Sequence, residues 1–309
     1  MSSAMFGDET RKARIRAWYD TFRDALQVPA TDRDVETSFG RTHVLVAGPP
    51  DAPPLVCVHG ALASSAHVLP ELGHLVERYR VYAVDVIGQS VMSADRRLPV
   101  DDVSYGIWLG EVCDGLDLEH FALMGVSWGG FVAMRLLQVA PHRVSALVLM
   151  VPAGMVAGSA WRGFVEVGWP MLRYRLSPSP ERLKALLAPL FTDPGAQWGA
   201  YFGDAVRSYR MDMRVPPLMT PDMFAPYTGP TLVFGAGDDL SFPGSALVAR
   251  ARELFPRAET VLLDGCRHCP PMDERFRATT ADRIHAFLRG ASVGASQNAP
   301  APGRAAEIS

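Results

Sequence analysis

Gly125-Val-Ser127-Trp-Gly129-Gly130 follows an apolar run from His120 to Met124 and opens a helical pattern that continues to Pro141. A serine at the tip of a tight strand-to-helix turn has its hydroxyl pushed clear of the main chain, where a base can reach it. Glycines two positions before and after suit such a turn, because strand and helix nearly collide there. The following helix points its first N–H groups, and the positive end of its dipole, at any developing oxyanion. A serine hydroxyl is a poor nucleophile until a base takes its proton, and the base must be held in one tautomer by a third group. Two further strand ends supply such groups. The loop Gly235-Ala-Gly-Asp238-Asp239 offers an acid, and Gly265-Cys-Arg-His268 offers a base. Ligands of open α/β sheets bind at the carboxyl ends of strands, so the spacing predicts one site built in the order Ser, Asp, His.

The elements that must position these residues alternate. Leu55–Val58, Arg80–Val84, 120–125, Val144–Met150, Thr231–Gly235 and Glu259–Leu263 read as buried strands. Helical patterns at 66–78, 103–116, 128–140, Ser245–Phe255 and Glu274–Arg289 separate them. Such alternation builds a parallel sheet with helices on both faces. Before it, Ile15, Trp18, Tyr19, Phe22 and Leu26 fall on one face of a helix expected to dock on its own domain. Val35–Phe39 and Thr42–Ala47 then read as a hairpin turning at Gly40-Arg41. The pattern breaks at Pro152. From 152 to 226 no strand is predicted, and the stretch is rich in Trp, Phe, Tyr and Met: Trp161, Phe164, Trp169 and Met171, then Trp198, Tyr201 and Phe202, then Met211, Met213, Met219, Met223 and Phe224. A helical insertion over the sheet end follows, with most of these residues in its own small core and a minority lining an adaptable apolar pocket.

Composition narrows the classes. With 309 residues, 48% hydrophobic and 20% charged, the chain reads as a soluble globular protein. A net charge of −3 leaves no basic excess for nucleic acid. No stretch is long and apolar enough to span a bilayer, and Met1 to Asp20 lacks the apolar core of a secretory signal, so a cytoplasmic protein is expected. Cys266-Arg-His268-Cys269 has Cys-x-x-Cys spacing without a second ligand pair, and reads as small residues around a turn, with a redox role left open. His-Glu-x-x-His, a phosphate loop and Gly-x-Gly-x-x-Gly are all absent from the sequence. Neither metal nor cofactor is expected, and a homodimer is left open.

Phe39-Gly40-Arg41-Thr42-His43-Val44, Pro53-Pro54-Leu-Val-Cys-Val-His59-Gly60, the Ser127 turn, Gly235-Ala-Gly-Asp238 and the turn at His268 resemble signatures of the α/β-hydrolase superfamily. Ala83-Val-Asp85-Val-Ile-Gly88 and the Asp238 to Leu247 segment are similar to carboxylesterases of the naproxen-esterase type, although Ser90 stands where many members have a second glycine. The resemblance implies an α/β-hydrolase fold: a mostly parallel eight-stranded sheet, helices on both faces and a helical cap insertion. Its parts would be an N-terminal amphipathic helix (1–30), a core (31–151 and 227–289), a cap or lid (152–226) and a disordered tail (290–309).

It also implies a serine hydrolase that cleaves a small carboxylic ester through an acyl-enzyme, and the apolar insertion motivates a substrate with an apolar part. Ser127 would attack the carbonyl, His268 would carry the proton, and Asp238 would orient His268. Asp238 is preferred to Asp239 because family members place the acid three residues after the strand-end glycine. The alternative acid position, after Met150, holds Val151 and Pro152. The N–H groups of Ala61 and Trp128 would form the oxyanion hole, and His59 would hold the oxyanion loop. An acyltransferase, thioesterase, lactonase or carbon–carbon bond hydrolase would use the same triad, and a small-molecule receptor could retain it with little turnover.

Overall fold

The computed structural model of the chain describes residues 4–212 and 214–297. One sheet holds β1 (Ala30–Thr37), β2 (Gly40–Ala47), β3 (Pro54–Val58), β4 (Arg80–Val84), β5 (Phe121–Val126), β6 (Val144–Met150), β7 (Thr231–Ala236) and β8 (Ala258–Leu263). Their order across it is β1-β2-β4-β3-β5-β6-β7-β8. Strand β2 runs antiparallel to both of its neighbours, and every other pair is parallel. The helices, in chain order, are α1 (Glu9–Asp24), α2 (Ser65–Glu71), α3 (Gly73–Val76), α4 (Ser104–Asp114), α5 (Trp128–Val139), α6 (Ala160–Gly163), α7 (Trp169–Leu176), α8 (Pro180–Leu187), α9 (Gly195–Ser208), α10 (Gly244–Leu254) and α11 (Glu274–Gln297).

The central strands are buried on both sides, which is why they read as continuous apolar runs rather than alternating ones. In β3, Val56 and Val58 enter one core with Trp108 of α4, Phe131 of α5 and Leu247 of α10. Leu55 and Cys57 enter the other, with Tyr19 of α1, Leu69 of α2, Leu75 of α3 and Ile284 of α11. Helix α1 docks on this second layer: Ile15, Tyr19 and Phe22 are buried, and the Trp18 indole N–H donates to Asp204 of α9 at 2.9 Å.

Three local expectations change. The hairpin turns at Ser38-Phe39, with Thr37 facing Gly40, so the strands are longer and the turn earlier than Gly40-Arg41. The helix expected over 66–78 is two pieces, α2 and α3, with Pro70 inside the first; a proline there removes a helical donor and crowds the preceding turn. The helix expected to end at Arg289 continues as α11 to Gln297, where a disordered tail from 290 was expected. No proline stands between Pro271 and Pro300, and alanine favours propagation through that stretch. The remainder of the expected tail, 298–309, lies outside the described residues.

Between β6 and β7 the described residues form helices α6 to α9, a π-helical turn at Phe164–Gly168 and a 3-10 turn at Pro221–Phe224. A small cluster of Tyr174, Leu186 and Val206, with Met171 and Phe202 against it, holds α7, α8 and α9 together. Met219 and Phe224 instead belong to the α5 side of the main core, and Tyr201 to the α11 side. Trp161, Phe164 and Trp169 are 72%, 56% and 50% exposed, so they serve neither the cluster nor a pocket. Met213 lies outside the described residues.

Candidate active site

Ser127 sits at the junction of β5 and α5 with φ +51° and ψ −112°, a backbone conformation that costs a non-glycine residue energy. Main-chain bonds hold it there. Its N–H donates to Met150 O at 2.9 Å, while its carbonyl accepts from Gly130 N at 2.9 Å and Ala153 N at 3.0 Å. The glycines are needed for space: a Cβ on Gly125 would meet Gly129 O at 2.5 Å, and one on Gly129 would meet Val58 O at 2.1 Å.

Facing the serine hydroxyl is the loop after β8. Ser127 Oγ lies 2.9 Å from His268 Nε2, and His268 Nδ1 lies 2.7 Å from Asp239 Oδ2. An ionised carboxylate only accepts, so Nδ1 carries the hydrogen and Nε2 offers its lone pair to the serine hydroxyl. Asp239 is buried, and its second oxygen accepts the N–H groups of Ser241 at 2.7 Å and Phe242 at 3.0 Å. The Phe242 ring stands edge-on to the imidazole at 5.3 Å between centroids.

The carboxylate on His268 is therefore Asp239, not Asp238. Asp238 is exposed, and its part in the site is a main-chain N–H given to Cys266 O at 2.8 Å. That bond joins the acid loop to the histidine loop and leaves the next residue to turn inward, where two amides receive it. The spacing rule carried over from the resemblance missed by one position. The chain's own signal for Asp239 was Ser241-Phe242 at two and three residues on, the usual amide partners of an aspartate that opens a turn.

The loop after β3 approaches from the opposite side. A Cβ on Gly60 would lie 3.4 Å from Ser127 Cβ, and Ala61 follows directly. Trp128 is the first residue of α5, so its N–H has no acceptor within the helix. His59 Nε2 accepts from Val86 N at 2.9 Å, and its Nδ1–H donates to Gly60 O at 2.7 Å. Burial pushes its pKa down, and both nitrogens of the neutral ring are used in tying the β3 and β4 loops together.

A polar network that the sequence did not announce stands behind that loop. Asp85 accepts from Ser65 N at 2.9 Å, Ser65 Oγ at 2.5 Å and His43 Nδ1 at 2.8 Å, and His43 Nε2 meets Asp32 at 2.9 Å. Burial alone would lift the Asp85 carboxyl, but the bond and charge of His43, with His59 and Ser65, hold it below the ordinary carboxylate range. Burial alone would lower His43; Asp85 and Asp32 hold it above the ordinary imidazole range. His43 lies in the hairpin, and its partners arrive from β1 and the end of β4, which no local spacing in the sequence brings together.

A cavity of about 300 Å³ opens beside Ser127 and His268. Of the aromatic and methionine residues expected to line a pocket from the insertion, Trp198 and Phe202 do so, and Tyr201 Oη donates to Leu62 O at the cavity rim. Cys57, Cys113, Cys266 and Cys269 are all free thiols. Cys269 borders the cavity, but burial pushes its thiol up to about 12, which leaves little thiolate. Among the described residues no three His, Cys, Asp or Glu side chains gather as metal ligands, and no helix is long and apolar enough to cross a membrane.

Residues 53–185 match the profile of the family described as alpha/beta hydrolase fold. The uncharacterized carboxylesterase nap of Bacillus subtilis is 37% identical over 139 residues, 44% of this chain and 46% of its own. The chain thus matches less than half of that relative's length. A 2-hydroxy-6-oxo-2,4-heptadienoate hydrolase of Pseudomonas putida is 32% identical over 192 residues, 52% of this chain and 67% of its own. The crystal structure of naproxen esterase from Bacillus subtilis superposes with a TM-score of 0.76 at 24% identity, covering 90% of this chain and 98% of the other, a likeness of fold. With the sheet order, the serine turn and these matches together, the chain belongs to the α/β-hydrolase fold family.

Proposed function

We propose that the protein is a serine carboxylesterase acting on a small ester with an apolar part. The observation that carries this reading is the unbroken line Ser127 Oγ, His268, Asp239 at the mouth of an apolar cavity. His268 takes the hydroxyl proton as Ser127 attacks the ester carbonyl, and returns it to the leaving alcohol as the acyl-enzyme forms. Water then repeats the sequence and frees the acid. Asp239 keeps the imidazole in the required tautomer and faces the cation that forms on it. The amides of Ala61 and Trp128 receive the oxyanion, each such donor being worth about 3 kcal/mol in the transition state.

The segment 152–226 acts as a cap, a reading supported by Trp198 and Phe202 at the cavity and by Tyr201 on the Leu62 carbonyl. Carboxylesterase nap among the relatives supports the choice of ester. Hydrolysis of p-nitrophenyl esters, with Ser127→Ala and His268→Ala beside wild type, tests the proposal. Each variant is expected to lose about 10⁴–10⁶-fold in kcat. Near-normal turnover in either one rejects the mechanism.

A further inference from the structure

The cavity does not lie mainly under the cap. It runs along the α11 side of the sheet, over Met124 of β5 and Met150 of β6. Leu72 and Leu75 wall one side, and Ala281 and Ile284 of α11 wall the other. Lining residues on α11 extend from Phe276 to Ile284, about 12 Å of helix at 1.5 Å per residue. The space therefore extends about that far along α11, and Ser127 is among its lining residues.

Its two charged groups, Glu71 and Arg277, are matched to each other, while the Nε2 of the buried His67 on the same wall has no hydrogen-bond partner. Arg277 donates to Glu71 through Nε and Nη2, both at 2.9 Å, bridging α2 to α11. Burial lifts the Glu71 carboxyl above its ordinary range even though Arg277 pulls it down. Glu71 ends α2 and Arg277 stands in the first turn of α11, the wrong end of each helix for its charge. The pair is thus explained by what it spans rather than by the helices that carry it. Both nitrogens of His59 are engaged, as described above. A charged group entering this space would find no free counter-charge among the described lining residues unless the Glu71–Arg277 bridge opened, whereas an apolar chain needs no such partner.

We infer that this cavity is the acyl-binding tunnel of the enzyme, that it selects esters of extended, uncharged apolar acids, and that Ala281 stands on the path of the chain. The inference rests on the esterase reading for its chemistry. The acyl half is assigned to it because that half stays bonded to Ser127 through both steps, while the alcohol must leave before water enters.

The test compares kcat/KM for p-nitrophenyl acetate and p-nitrophenyl decanoate in wild type and in Ala281→Phe, whose ring would fill the tunnel. The decanoate-to-acetate ratio is expected to fall at least tenfold; an unchanged ratio overturns the assignment. A second readout needs no turnover. Methyl decanoate should raise the melting temperature of Ser127→Ala, as any ligand of the folded state does, and adding Ala281→Phe should abolish the shift. A shift abolished in this way, in a protein that cleaves no ester, keeps the tunnel and rejects the esterase. Ester turnover with no shift and no change in ratio keeps the esterase and rejects the tunnel. If circular dichroism shows Ala281→Phe unfolded, Ala281→Leu carries the same comparison.

Discussion

Asp238 and Asp239 are adjacent, yet one faces water and the other accepts three hydrogen bonds, from His268, Ser241 and Phe242. Asp239→Asn would keep the size of the side chain and offer His268 an amide, favouring the wrong tautomer. It is expected to lower kcat about 10⁴-fold. Asp238→Asn, at an exposed side chain, should stay within about twofold. The opposite pattern in ester assays would restore Asp238 as the orienting acid. The strand-end reading reached this loop but could not choose within it, because the choice depends on which carboxylate meets two main-chain amides. Ser127 and His268 were legible for the converse reason. Each was the sole residue of its chemical kind within its own strand-end loop, so no adjacent residue competed with it.

At the scale of elements, the serine turn is a problem of space. The Gly129 main chain passes so close to β3 that a methyl group would overlap Val58 O. Gly129→Ala must push α5 away from the sheet or move β3, at a cost of about 1–3 kcal/mol. A fall in melting temperature together with lower ester turnover is expected; an unchanged melting temperature would show that the turn has room to spare. This unit was readable because strand, turn and helix are contiguous. The acyl tunnel was not, since α2 and α11 meet across about two hundred residues of sequence and neither segment names the other. The insertion misled for a related reason. Trp198 and Phe202 do border the cavity, but Trp161, Phe164 and Trp169 lie on the outer surface, and much of the remaining wall comes from helices that read as ordinary crossover packing.

Across the whole molecule, the His43 network joins β1, β2, the end of β4 and the start of α2. Its groups respond to pH in opposite senses. His43 has a raised pKa in the fold, so its contribution is complete below the ordinary histidine range and is lost as pH rises through the raised value. Asp85 and Asp32 are lowered, so theirs is present above the ordinary carboxylate range and is lost as pH falls through the lowered values. Tyr19 and His59, which also face Asp85, stay neutral: the phenol is raised and the imidazole lowered by burial. From about pH 6.5 upward the melting temperature of wild type should therefore decline toward that of His43→Gln. Parallel curves for the two proteins would remove His43 from the account.

In the proposed mechanism the nucleophile and its base are 141 positions apart, and the base follows the last strand of the sheet. A ribosome delivers the chain from its amino end, so Ser127 emerges long before His268. Throughout synthesis the growing protein therefore carries a serine with no partner to activate it. The chemistry is withheld until β7 and β8 have added the far edge of the sheet. Completion of the sheet and arming of the serine are thus a single event, and a chain arrested before His268 is inert by construction.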